Sequence, residues 1–500
     1  MMRWPRRRFL QYCGGLSLAG GLATSCGAGG GGSPSDQCAA AQPAGTGPTP
    51  PVSAWAAQTD EALLDDLAQR TFRFFWEHYD ANTGLVPDRW PGNPELASVA
   101  ALGFALTAYV VGVDRAWVTR AEALQRSLLA VRFLHDAPQG SAATGTAVYK
   151  GFFYHYLNMK TGVRFDTQVE LSSIDTSLLL AGLICVQQFF DGRDALETEL
   201  RTKVQTLHER IDWRWMQQRS GLVCMGWLPG KGFLPYDYRG YDEAMWLVLL
   251  AMGSPVPAQR ISADSWQGFT ATYDWGDFMG QTHLTGAPLF WHQYSQMWVD
   301  FRGIRDEFMR AKGIDYFENS RRATLAQRAY AKENKAGFNG YDELCWGLTA
   351  CDGPGVIRGP DHLGCTRDFF DYRARGAGRK GTFDDGTISP TAALSSIAFA
   401  PQAVKPTLRA MLERHGSVIY GDYGFFDSFN LSYRAFGSRL VDGRDVPGWG
   451  WVASDYLGID QGPILGMIAN YRNELIWTLM KKSPDLQRGL RLAGFSGGWL

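Results

Sequence analysis

Two carboxyl groups stand five positions apart in Val169-Glu170-Leu171-Ser172-Ser173-Ile174-Asp175-Thr176-Ser177, at the mouth of an apolar stretch. Two more are adjacent in Tyr238-Arg239-Gly240-Tyr241-Asp242-Glu243-Ala244-Met245-Trp246. Carboxylates and serines at a helix start commonly satisfy free amides there. Adjacent helical residues, however, point about 100° apart, so one acid can cap while its neighbour faces a cleft. The mixture of acid, aromatic and glycine recurs along the chain. It appears in Phe290-Trp291-His292-Gln293-Tyr294, Trp346-Gly347-Leu348-Thr349-Ala350-Cys351-Asp352, Asp384-Asp385-Gly386, Tyr423-Gly424-Phe425-Phe426-Asp427 and Ile459-Asp460-Gln461-Gly462-Pro463. Each segment alone is ordinary turn chemistry. Spaced about once per pair of helical stretches, together they suit a sugar site. Glycosidic cleavage needs one carboxylic acid to protonate the leaving oxygen and a second carboxylate to activate water or attack carbon. Metal chemistry is poorly served: there is no His-Glu-x-x-His, and the eight histidines include no i, i+3 or i, i+4 pair. No cofactor is expected.

The elements that must carry these groups are helical. Apolar residues recur at helical spacing over Thr59–Tyr79, Leu96–Val113, Arg115–His135, Ser172–Phe190, Asp194–Met216 and Tyr241–Met252. They do so again over Phe290–Arg310, Phe317–Lys332, Thr391–Phe399, Val404–His415, Gln461–Tyr471 and Glu474–Lys481. A plain bundle of a dozen helices outgrows one core, and an open solenoid would show a sequence period that is absent. The expectation is all-α: a closed (α/α)6 barrel over 59–484, with its site where the loops of one end converge. Short hairpins are expected beside that mouth, in Val148–Asp166 and Leu222–Pro235, and residues 485–500 read as a tail.

The totals exclude some partners. With 49 basic and 50 acidic residues the formal charge is −1, without the concentrated positive field that a nucleic-acid surface needs. Eighteen Trp, 20 Tyr and 28 Phe can fill a core or face sugar rings. Residues 1–25 read as an export signal of twin-arginine style, with Arg6-Arg7-Arg8-Phe9-Leu10 ahead of a short apolar run. The run closes at Ala23-Thr24-Ser25-Cys26, which resembles a lipobox; Cys26 is the expected lipid anchor and 26–58 a Gly/Ser/Pro-rich tether. The expected location is periplasmic or anchored at the outer membrane, with no membrane contact beyond that lipid. Cys185, Cys224, Cys345, Cys351 and Cys365 form no metal pattern. Buried thiols are the expectation, and a disulfide among the last three the alternative.

The ordered segments Val-Glu-Leu-Ser-Ser-Ile-Asp-Thr, Gly-Tyr-Asp-Glu-Ala-Met, Pro-Leu-Phe-Trp-His-Gln-Tyr, Trp-Gly-Leu-Thr-Ala-Cys-Asp-Gly-Pro, Gly-Thr-Ile-Ser-Pro-Thr-Ala-Ala, Tyr-Gly-Phe-Phe-Asp-Ser-Phe-Asn and Ile-Asp-Gln-Gly-Pro are similar to the glucoamylase-like domain of glycoside hydrolase family 144. The resemblance covers nearly all of 59–484. It implies an (α/α)6 barrel, no metal, and anomer-inverting hydrolysis of β-1,2-glucan to sophoro-oligosaccharides, endo-acting in most members and sophorose-releasing in some. It further implies that Glu243 is the general acid. Asp427 is the first choice for the base side, with Asp175 and Glu170 next. His292, Gln293, Tyr294, Trp346, Asp352, Asp460 and Gln461 are the expected substrate contacts. A non-catalytic glucan-binding lipoprotein is the rival reading.

Overall fold

The computed structural model describes residues 55–500 except Ser220; the expected signal, anchor and most of the tether lie outside them. The described residues are rich in helix, in chain order α1 (Asp60–Glu77), α2 (Val99–Asp114), α3 (Arg120–Asp136), α4 (Ser173–Phe189), α5 (Ala195–Glu209), α6 (Met245–Gly253), α7 (Asp264–Thr270), α8 (Phe290–Trp298), α9 (Glu307–Lys312), α10 (Tyr316–Glu333), α11 (Pro390–Leu394), α12 (Pro401–Ile419), α13 (Gly458–Asn473), α14 (Leu475–Met480) and α15 (Pro484–Leu492).

Burial sorts these helices into two kinds. In α2, α4, α6, α11 and α13 nearly every residue is buried, as their Ala-, Leu- and Gly-rich sequences permit, and α8 follows closely. The helices α1, α3, α5, α10 and α12 bury one face and carry charge on the other. Packing among the first kind is cyclic. Helix α2 packs on α4, α4 on α6, α6 on α8, and α13 on both α11 and α2. The step from α8 to α11 is made by the Gln293 amide, which donates to the Ala392 carbonyl at 2.7 Å. The amphipathic helices pack outside: α1 on α2 and α13, α3 and α5 on each other and on the ring, α10 on α8, and α12 on α11 and α1. The Thr119–Glu122 capping box that starts α3 illustrates how these outer helices begin.

Short antiparallel strands occur where they are expected, at Val148–Tyr149 with Phe152–Phe153 and at Gly226–Leu228 with Gly232–Phe233. Others lead directly into ring helices. Leu96–Ser98 precedes α2 and pairs with Tyr156–Asn158; Leu171–Ser172 precedes α4 and pairs with Trp227 and Gly226; Tyr456–Leu457 precedes α13 and pairs with Arg89–Trp90. Small sheets thus gather at the N-terminal ends of the ring helices.

Three expectations are corrected. The stretch Phe290–Arg310 is two helices, α8 and α9, and α7 was not anticipated. Residues 485–500 are no loose tail, because α15 docks on α6. The approach is close: a Cβ on Gly489 would collide with the Leu249 carbonyl, and one on Gly253 with the Asp485 carbonyl. Finally, Cys365 is disulfide-bonded, whereas Cys185, Cys224, Cys345 and Cys351 are free and buried, so no bridge joins Cys365 to Cys345 or Cys351.

Candidate active site

At the N-terminal ends of the ring helices lies a narrow cavity of about 60 Å³, whose walls include His155, Glu170, Asp175, Tyr238, Glu243 and Tyr294. Phe290, Tyr372, Ile174 and Met225 supply apolar surface between them. Glu243, the expected general acid, and Asp175 and Glu170, the next candidates after Asp427 for the base side, therefore face one space.

Each is held by the element that presents it. Glu170 immediately precedes the strand that leads into α4. Asp175 lies in the first turn of α4, where its amide donates to the Ser172 hydroxyl at 3.2 Å and its carboxylate accepts from that hydroxyl at 2.6 Å. The Phe153 amide donates to the Thr176 hydroxyl, fixing the 148–153 hairpin on the same helix. Glu243 stands two residues before α6. The Ser295 hydroxyl of α8 donates to the Glu243 carbonyl and accepts from the Trp246 amide, both at 3.0 Å, so it caps α6 from a neighbouring helix. Trp246 in turn donates its indole N–H to the Ser177 carbonyl of α4. Glu243 is 7% exposed. The adjacent Asp242 accepts from the Ala244 amide, and burial pushes its carboxyl up to about 7.

His155 was not anticipated. Its Nδ1 lies 2.9 Å from Glu170 Oε1, its Nε2 lies 3.4 Å from Asp175 Oδ1, and its ring stacks on Tyr156 with centroids 3.9 Å apart. His155 falls within the stretch Val148–Asp166 expected to form hairpins, but nothing in that stretch marked its polar role. Tyr238 and Tyr372 were missed in the same way.

Asp427 sits elsewhere. It is not among the cavity-lining residues, and it is packed with Asp352 and Asp460 under the starts of α11 and α13. Its Oδ2 accepts from the Asp352 amide at 2.6 Å, and its buried carboxyl lies within hydrogen-bond reach of the Asp460 carboxyl. Burial first, then the Asp460 and Asp352 charges, hold its carboxyl well above the usual range. A resting base needs the opposite condition. Arg89 serves the neighbouring acids, lying 2.9 Å from Asp352, 3.3 Å from Asp455 and 3.6 Å from Asp88. The Ser428 hydroxyl holds the Asp352 carbonyl, and the fully buried Arg375–Asp385 pair fixes the turn behind it through the Cys351 carbonyl.

Among the expected contacts, only Tyr294 reaches the cavity, with its hydroxyl on the Ile459 carbonyl at 3.0 Å. His292 is fully buried against Tyr241 with Nε2 near the Gly286 carbonyl, and burial pushes its imidazole down to about 3. Gln293 bonds α11, the Trp346 indole donates to the Thr407 hydroxyl, and the Gln461 amide donates to the Phe425 carbonyl. These groups join elements to one another. Asp352 and Asp460 belong to the Asp427 cluster. Among the described residues no group of His, Cys, Asp or Glu is arranged to hold a metal ion, and no helix is long and apolar enough to cross a membrane.

The family model described as "Glycoamylase: Putative glucoamylase" matches residues 235–484. A Bacteroides uniformis protein described as a glucoamylase of this kind is 31% identical, with 89% of this chain and 99% of that one aligned at a TM-score of 0.75. The endo-beta-1,2-glucanase of Chitinophaga pinensis, solved with sophorotriose and glucose, is 27% identical over 89% of this chain and 100% of its own, also at a TM-score of 0.75. An exo beta-1,2-glucooligosaccharide sophorohydrolase (non-reducing end) of Parabacteroides distasonis is 30% identical over 87% of this chain; the chain spans 58% of that relative's length. With half its length matched by the family model and a 31% identical structure covered almost end to end, the chain belongs to the glucoamylase-like family, glycoside hydrolase family 144.

Proposed function

We propose that this chain hydrolyses β-1,2-glucan to sophoro-oligosaccharides, cutting internal linkages with inversion, and that its helices form an (α/α)6 barrel. The observation that carries the reading is one cavity that gathers Glu243, Asp175 and Glu170 among aromatic side chains at the N-terminal ends of the ring helices. Glu243 is the general acid: it is 7% exposed, and such a setting favours a carboxyl that keeps its proton until the leaving oxygen needs it. The base side falls to Asp175, with Glu170 next. Asp175 has what a carboxylate needs, namely a helix N-terminus, the Ser172 hydroxyl and an imidazole. Asp427, first in the sequence reading, is disfavoured because burial and the Asp460 and Asp352 charges raise its carboxyl well above the usual range. Inversion requires a water between acid and base. Tyr294, Tyr238 and Tyr372 offer ring faces and hydroxyls to the sugar.

The named activity of the Parabacteroides distasonis relative supports a second reading, release of sophorose from chain ends. A time course of products from linear β-1,2-glucan separates the two. Mixed early products mean internal cutting, a single early disaccharide means end-cutting, and an unchanged chain length means a binding protein. The Arg6-Arg7-Arg8 and Ala23-Thr24-Ser25-Cys26 segments further support export and lipid anchoring. Incorporation of labelled fatty acid, lost in Cys26→Ala, tests that proposal.

A further inference from the structure

His155 faces a carboxylate from each of its two ring nitrogens. Nδ1 lies 2.9 Å from Glu170 Oε1 and Nε2 lies 3.4 Å from Asp175 Oδ1. A neutral imidazole carries one N–H and one lone pair, so whichever tautomer formed, a lone pair would oppose a carboxylate oxygen. Protonation at both nitrogens converts that repulsion into a charge-assisted hydrogen bond to Glu170 and an ion-pair contact with Asp175. The ring cannot easily turn away, because it stacks on Tyr156 and its own backbone is fixed at both ends. Its amide donates to the Glu170 carbonyl and its carbonyl accepts from the Val99 amide at the start of α2.

Asp175 takes its second oxygen's bond from Ser172. Arg164, whose charge interacts with that of Glu170, is committed to the Val169, Ala143 and Thr167 carbonyls. The cavity also brings Glu243 and Tyr238 toward this wall.

We propose that His155 is a positioning residue, an imidazolium that clamps Glu170 and Asp175 and so holds Asp175 as the carboxylate on the base side. This rests on the reading of the cavity as the catalytic site. The clamp has two consequences. It separates two like charges that would otherwise compete for one proton, and it orients Asp175 by fixing one oxygen while Ser172 fixes the other.

The test has two arms. In enzyme labelled with 15N-histidine, with the His155 signals assigned by their loss in His155→Gln, both ring nitrogens should be protonated at pH 7. Asp175→Asn and Glu170→Gln should each convert His155 to a singly protonated ring. In turnover of β-1,2-glucan, His155→Ala should lower kcat about 100-fold with KM changed less than about threefold, and added imidazole should restore at least about tenfold. A merely structural side chain would not be replaced by free imidazole. A singly protonated His155 in the wild-type enzyme, or wild-type kcat in His155→Ala, overturns the proposal. If the wild-type enzyme leaves β-1,2-glucan intact, the functional reading fails, while the nitrogen signals still decide the charge of His155.

Discussion

Two carboxylate clusters occupy the same end of the helical ring, and they are solvated in opposite ways. Around Asp175 and Glu170 the protein supplies a hydroxyl, an imidazole and a helix N-terminus. Around Asp427 it supplies a backbone amide, Ser428 at 3.4 Å and two further aspartates, Asp352 and Asp460. Arg89 is spent on Asp352, Asp455 and Asp88. In the second cluster burial and the neighbouring acids push the Asp427 carboxyl well above the usual range, whereas the first surrounds its acids with groups that can donate to them. Donors within hydrogen-bond reach, rather than the presence of an acid at a helix start, decide which aspartate can act as a base.

Substitutions can break or sharpen this division. The largest effect is expected at Glu243→Gln, which should keep its fold by circular dichroism and thermal melting yet lose roughly 10³–10⁴-fold in kcat on β-1,2-glucan. Asp175→Asn should follow at roughly 10²–10³-fold, and a smaller loss there than in Glu170→Gln would exchange their roles. Asp427→Asn should cost less than about tenfold, because an amide reproduces the shape and neutrality of a protonated carboxyl. A loss at Asp427→Asn as deep as that at Asp175→Asn would erase the distinction between the clusters.

The smallest effect concerns pH and stability. Burial, reinforced by Asp352 and Asp455 and opposed by Arg89, pushes Asp442 from 3.8 up to about 8. Because its folded value lies above its unfolded one, its contribution is full below about pH 4 and is lost as pH rises toward 8. The melting temperature should therefore fall between pH 5 and 8.5, and Asp442→Asn should reduce that fall by about 1–2 °C in a scanning calorimeter.

Much of this was legible in the chain itself. Helical spacing announced most of the helices, and acids at helix starts announced Glu170, Asp175 and Glu243. His155 was not readable, because its partners are 15 and 20 positions away and meet it only when Tyr154 pairs with Leu171 and the His155 amide donates to the Glu170 carbonyl. His292 and Gln293 misled for a physical reason. Helix α8 is buried on nearly every side, so His292 and Gln293 answer to neighbouring elements, whereas Tyr294 on the same helix reaches the cavity. Pro484 looked like the end of helical structure, but it occupies the first turn of α15, where its missing N–H costs nothing.

The docking of α15 on α6 also bears on biosynthesis. Every cavity residue has left the ribosome well before Pro484–Leu492 emerges, yet the apolar helix that follows Glu243 keeps one flank uncovered until then. A nascent or truncated chain ending before Pro484 would contain all of the chemistry and display a sticky Met245–Gly253 surface, which makes it a client for chaperones and proteases rather than a slower enzyme.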